Sequence, residues 1–209
     1  MNELLSLLES RGRRALPGID AHRRFAPEMA YGRHRGPIAA SAHRAAVVIA
    51  LMETEQGLVF PLILRSDVSG DQHRGQISLP GGRLDGNELA WHGAKREFSE
   101  ELGASSESLR LVTQLTPLYV YASNHWVQPF VAHWEHPGPF KPNPAEVAEL
   151  LWIPVSQLID QTNIHLAKML RGNCVYNASG YRFGESFVWG ATAMILGELA
   201  AIWGDSAQA

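Results

Sequence analysis

The stretch that leaves this chain the fewest options runs from Gly82-Arg-Leu-Asp-Gly-Asn-Glu88, across seven residues, to Arg96-Glu-Phe-Ser-Glu-Glu-Leu-Gly-Ala104. Written as a helix from about Glu88 to Leu102, it places Glu97, Glu100 and Glu101 at i, i+3 and i+4, so three carboxylates share one face. Trp91, Ala94, Phe98 and Leu102 fall at steps of three and four and form an apolar stripe on another face, with Gly103 as the expected C-cap. A helix that buries one side and crowds acids on the other either solvates those acids or holds a cation. Hard divalent cations such as Mg²⁺ take oxygen ligands, keep several waters and join carboxylates to substrate phosphates.

An isolated E-x-x-E-E is more often a solvated acidic face than a metal site. Here the flanks argue the other way, because Pro80-Gly81-Gly82 puts backbone carbonyls and amides where a ligand can approach closely. The whole stretch resembles the Nudix box, G-x5-E-x7-R-E-U-x-E-E-x-G-U, with U a bulky aliphatic residue. Gly82, Glu88, Arg96, Glu97, Glu100, Glu101 and Gly103 match it, while Phe98 and Ala104 stand at the U positions.

That resemblance implies hydrolysis of the diphosphate bond in a nucleoside diphosphate derivative, with Mg²⁺ or Mn²⁺ as cofactor. It implies Glu97, Glu100, Glu101 and the Gly81 carbonyl as metal ligands, and Arg96 as the ion-pair partner of Glu88. The general base stays open among Glu100, Glu101 and a carboxylate from a later loop. Glu146, in Asn143-Pro-Ala-Glu-Val147, is the first candidate for the last role and Glu149 the second.

Upstream, Arg65-Ser66 and His73-Arg-Gly-Gln-Ile-Ser-Leu-Pro-Gly-Gly-Arg-Leu-Asp85 resemble the additional motif of the coenzyme A pyrophosphatase branch. Ile153-Pro154-Val155 and Val188-Trp-Gly-Ala-Thr-Ala193 add to the likeness. It implies Arg65, His73, Arg74 and Gln76 as substrate-binding residues and coenzyme A or a derivative as substrate. Gly70 and Asp71 stand where that branch carries Leu-Arg, and Leu79 where it carries Phe. An arginine there could pair with the 3′-phosphate of coenzyme A, whereas an aspartate would repel it. ADP-ribose or a dinucleotide is the alternative. A non-catalytic binding protein of this fold would be expected to have lost acids from the box, and none is lost here.

With 209 residues the chain suits one domain with added segments. A net charge of −3 offers no general attraction for nucleic acid or anionic membrane. Cys174 is the only cysteine, which excludes an internal disulfide. Met1 to Ser10 lacks a long apolar segment, and Ala191 to Trp203 is too short to span a bilayer, so a cytoplasmic protein is expected. The partner expected is a small nucleotide derivative, with a homodimer as the family's habit.

Residues 1–43 read as an N-terminal helix followed by an irregular arm rich in Arg, His, Gly and Pro, and residues 44–209 as the catalytic domain. Ala45–Met52 and Leu58–Leu64 read as a strand hairpin. Further strands are expected at Gln76–Leu79, Leu109–Tyr121 with a bend at Pro117, Trp126–Trp134 with an interruption at Pro129, and Glu149–Ile153. A helix from Ser156 to about Leu170, a hairpin turning at Asn177-Ala-Ser-Gly180, and a closing helix at Gly190–Trp203 complete the reading. The fold class is α/β (α+β), a mixed sheet sandwiched between helices with the box helix on one side and the C-terminal helix on the other.

Overall fold

A computed structural model describes residues 16–30, 33, 36–67 and 75–204, together with Ser6 and Leu8. Twelve-residue strand β1 (His43–Thr54) is its axis. Its alternation is plain: Ala46, Val48 and Ala50 face one core, while Ala45, Ile49 and Leu51 face another. Strand β2 (Gly57–Arg65) returns antiparallel from the turn, with Thr54 opposite Gly57. Strands β3 (Ile77–Ser78) and β4 (Gly81–Arg83) follow, β3 pairing with β2 and β4 with the first half of β1.

Beyond the box come β5 (Leu109–Gln114), β6 (Leu118–Val120), β7 (His125–Trp134) and β8 (Val147–Pro154). Strand β7 lies parallel to β1 and β8 antiparallel to β2, giving an eight-stranded mixed sheet with the spine β3-β2-β1-β7-β5. Pro129 does not interrupt β7, contrary to expectation. On one side it lies opposite Val47 of β1; on the other, β6 pairs only as far as Val127 and β5 starts at Phe130, so the missing N–H falls in the gap between two partners.

Two helical layers cover this sheet. On one face lies α2 (Ala90–Leu102), burying Ala94, Phe98 and Leu102 against Ala46, Val48, Phe130 and Trp134; α1 (Gly18–Arg23) packs on the helix Gly190–Gly204 of the opposite face. On the other face, α3 (Val155–Ile159) and α4 (Gly190–Gly204) pack on Ile49, Leu51, Phe60, Leu62 and Val131. The expected sandwich is therefore present.

Three expectations need correction. The helix opened at Pro154 stops at Ile159; Asp160 accepts a hydrogen bond from the Thr162 amide, a short 3-10 turn follows, and Ile164–Arg171 is strand β9. Asn177 to Gly180 is not a turn but the middle of β10 (Cys174–Phe183), which pairs with β9 and with β11 (Ser186–Trp189). The turns sit instead at Gly172 and Gly184, both in the left-handed region that glycine tolerates. The arm is also less irregular than expected. It contains α1 and a 3-10 turn at Glu28–Ala30, and Phe25 stacks on Tyr181 with ring centroids 4.8 Å apart. Of the expected N-terminal helix, Ser6 and Leu8 are helical and Leu8 is buried; its other residues lie outside those described.

Glu198 explains how the arm is fastened. This fully buried carboxylate on α4 accepts from Gly18 N (3.1 Å), Thr116 N (3.0 Å) and Thr116 Oγ1 (2.6 Å), and meets His22 Nε2 at 3.1 Å. Gly197 beside it leaves room for Phe25, whose ring would stand 2.4 Å from an added Cβ.

Candidate active site

The site is assembled where β4, the C-terminal end of β2 and the start of β8 meet α2. Gly81 has φ of +139°, and an added Cβ would lie 2.3 Å from the Ala46 carbonyl, so only glycine lets β4 lie this close to β1. Gly82 lacks a Cβ for a different reason: one would stand 2.6 Å from the Glu97 carboxylate. The two glycines thus bring backbone up against the acids of α2. Gly103 in the left-handed conformation ends that helix, its N–H bonded to the Ser99 carbonyl.

Arg96 organises the acidic face. Its guanidinium bonds Glu88 through Nε (3.2 Å) and Nη2 (3.1 Å), the Arg83 carbonyl through Nη2 (3.0 Å), and both Glu97 and Glu100 through Nη1 (2.9 Å each). Glu88 in turn accepts from the Asp85 amide at 3.2 Å, which fixes the loop before the helix. The Arg96 hydrogen bonds hold the Glu88 carboxyl below its ordinary range and keep the guanidinium protonated.

Glu101 is the buried member of the cluster, with 1 % of its side chain exposed. One oxygen accepts from Gly81 N at 2.8 Å and the other lies 3.7 Å from Arg65 Nη1. Burial pushes its carboxyl up to about 8; the Gly81 amide and Arg65 oppose that push, while Glu97 and Glu146 add to it. Burial also raises Glu97, with Arg96 opposing and the charges of Glu100 and Glu146 reinforcing. Glu146 is exposed, and its charge adds a small upward push on both, while its loop is tied to α2 through Asn143 N and the Glu101 carbonyl.

The structure therefore brings together Arg65, Gly81, Arg96, Glu97, Glu100, Glu101 and Glu146. Gln76 belongs to the same strand ends: its carbonyl accepts from Arg65 N at 3.0 Å, and Gly75 N donates to the Arg65 carbonyl at 3.1 Å. His73 and Arg74, with Gly70 and Asp71, lie outside the described residues. Leu79 is a core residue, 2 % exposed, so its difference from Phe concerns packing. Glu149 is exposed on β8, opposite Leu64.

Two residues to which the sequence attached no role fasten the Glu146 loop. Ser66 donates from N to the Glu146 carbonyl (2.9 Å) and from Oγ to the Pro144 carbonyl (3.0 Å), and Asn143 reaches both Glu146 and α2. The Asn-Pro-x-Glu spacing was the available signal, since Asn before Pro favours a turn closed by its own side chain.

Among the described residues no three of His, Cys, Asp and Glu form a ready-made metal cage. The donor set is nonetheless all oxygen, and an ionised Glu101 this deeply buried is stabilised by a nearby cation, which is the character hydrated Mg²⁺ or Mn²⁺ requires. Chemically, the arrangement can bind a polyanion through cations and position a water against it.

Comparison with known proteins agrees with this architecture. A family model described as NUDIX domain matches residues 42–172. The Nudix hydrolase NudL of Yersinia enterocolitica is 28% identical over 166 residues, covering 79% of this chain and 84% of that protein. Its namesake in Photorhabdus laumondii is 28% identical over 140 residues, 66% of this chain and 74% of the relative. Among solved structures, the Nudix hydrolase RenU of M. smegmatis aligns with a TM-score of 0.53 at 18% identity, over 88% of this chain and 94% of its own. A MutT/nudix family protein from Enterococcus faecalis aligns with a TM-score of 0.51 at 16% identity, over 85% and 68%.

Proposed function

Since the chain belongs to the Nudix family, we propose that this pyrophosphohydrolase cleaves coenzyme A or an acyl or oxidised derivative, yielding 3′,5′-ADP and 4′-phosphopantetheine or its derivative. What carries the reading is Arg65. The motif that resembles the coenzyme A branch begins at this residue, and its guanidinium stands 3.7 Å from Glu101 in the acid cluster. The described residues that flank His73 and Arg74 in the sequence are hydrogen-bonded at the site, Ser66 N to the Glu146 carbonyl and Gly75 N to the Arg65 carbonyl.

Glu97, Glu100, Glu101 and the Gly81 carbonyl would hold a divalent cation, Mg²⁺ or Mn²⁺. When bound, it neutralises the diphosphate and makes the leaving phosphate a better leaving group. The chain's own residues do the rest. Arg96 keeps Glu97 and Glu100 on one side of α2, and Gly81 N–H holds Glu101 by one oxygen. Arg65 offers positive charge to a phosphate, and Glu146 accepts a proton from the attacking water.

Asp71 in place of the branch's arginine favours a second reading, a substrate without a 3′-phosphate such as ADP-ribose or a dinucleotide. Hydrolysis rates for coenzyme A, dephospho-coenzyme A, ADP-ribose, NADH and diadenosine polyphosphates with each cation decide between them. Preference for coenzyme A over its dephospho form supports the first reading; faster cleavage of ADP-ribose or a dinucleotide supports the second.

A further inference from the structure

Glu146 is an exposed carboxylate on an irregular loop, and a base must be aimed. We propose that Asn143 is the positioning residue that aims it, a role that rests on the reading of Glu146 as the proton acceptor. Asn143 sits between the two parts of the site. Its own N–H donates to the Glu101 carbonyl at 2.9 Å, anchoring the loop to the last turn of α2. Its side-chain oxygen accepts from Ala145 N at 3.1 Å, closing a turn over Pro144. Because that oxygen is occupied by an N–H, the amide orientation is determined, and Nδ2 must face the other way. There it donates to Glu146 Oε1 at 2.9 Å. The Asn143 carbonyl accepts from Glu146 N (3.0 Å) and Val147 N (2.8 Å), so the backbone beneath the carboxylate is fixed as well.

The consequence is a division of labour between the two carboxylate oxygens of Glu146. Oε1 is held by Asn143, which leaves Oε2 to take the proton. In the step it serves, water gives one proton to Glu146 as its oxygen bonds phosphorus, and the bridging P–O bond breaks with its electron pair leaving on the second phosphate. The same amide also places Glu146 within electrostatic reach of Glu97 and Glu101, where a charge on a free loop would be averaged over many rotamers.

Asn143→Asp isolates the role. It keeps the side-chain oxygen that closes the turn, loses the donor to Glu146 and sets a like charge against it. With whichever of coenzyme A and ADP-ribose is cleaved faster, N143D lowers kcat about 10- to 100-fold with KM little changed. Its melting temperature stays near the parent's, because the turn survives. Glu146→Gln lowers kcat by about 100-fold or more, and adding N143D to E146Q costs nothing further, since there is no carboxylate left to aim. An impaired E146Q beside a parent-like N143D overturns the proposal alone, as does an N143D loss that persists undiminished in the E146Q background. A parent-like E146Q overturns the reading of Glu146 as base, and the aiming role with it.

Discussion

Glu101→Gln separates what this carboxylate does to folding from what it does for catalysis. In the metal-free protein burial holds the Glu101 carboxyl at about 8 against an ordinary 4.5, so the native state keeps a proton that the unfolded chain releases. Below about pH 4.5 both states are protonated, and the carboxyl has no net effect. As pH rises towards about 8 the unfolded state is favoured by about 1.4 kcal/mol per pH unit, and above that the loss levels off. By about pH 7 the accumulated destabilisation is on the order of 3 kcal/mol. Glutamine cannot ionise, and its amide oxygen can still accept from Gly81 N–H. In a chelating buffer near pH 7, E101Q should therefore melt about 6–12 °C above the parent, since 1 kcal/mol is worth about 2–4 °C at this size. The advantage should shrink to under about 1 kcal/mol near pH 5. With Mg²⁺ the same variant should lose about 10²- to 10³-fold in turnover, because the charge of a proposed metal ligand is gone. Differential scanning calorimetry across that pH range makes the measurement. A variant no more stable than the parent at pH 7 to 9, or an advantage that does not grow with pH, refutes the reasoning.

Arg96→Lys cannot reproduce the forked contacts to Glu88, Glu97, Glu100 and the Arg83 carbonyl, so turnover should fall by about 10²-fold in a steady-state assay while the protein stays folded. Gly82→Ala should displace the Glu97 carboxylate, 2.6 Å from the new Cβ, and weaken Mn²⁺ binding measured calorimetrically about tenfold or more. Glu198→Ala leaves the Gly18 and Thr116 amides and His22 without their acceptor, and should cost about 3–5 kcal/mol in urea unfolding with little change in KM.

Most of what the sequence revealed lay in strong periodicities. The alternation of β1, the stripe of α2 and the box spacing were legible because each is a local pattern with one physical solution. What escaped was decided by tertiary contacts. Residues 156–170 carry helix-compatible leucines and a lysine, yet Ile164–Arg171 pairs with β10 as a strand, so sheet formation overrides a weak local preference. Ser179-Gly180 resembles a turn, but Gly180 is required because a Cβ would lie 2.3 Å from the Val188 carbonyl of the neighbouring strand. Glu198 stands alone as an acid in an otherwise apolar helix, and only its donors, contributed by Gly18, His22 and Thr116 from distant parts of the chain, show it to be a clasp. Arg65 and Glu146 were readable as candidates through their motifs. Ser66 was not, since its role consists of contacts across 78 or more residues, and for Asn143 the Asn-Pro spacing signalled only the local turn and not its bond to α2.

The measurement that bears most directly on the central claim is ³¹P NMR of coenzyme A incubated with the protein and Mg²⁺, which is diamagnetic and leaves the phosphorus lines sharp. Conversion of the diphosphate signals into two phosphomonoester signals, abolished by chelator and by E101Q, is the expected result. An unchanged diphosphate in coenzyme A, ADP-ribose and the dinucleotides alike, with the protein folded and Mg²⁺ present, would contradict it.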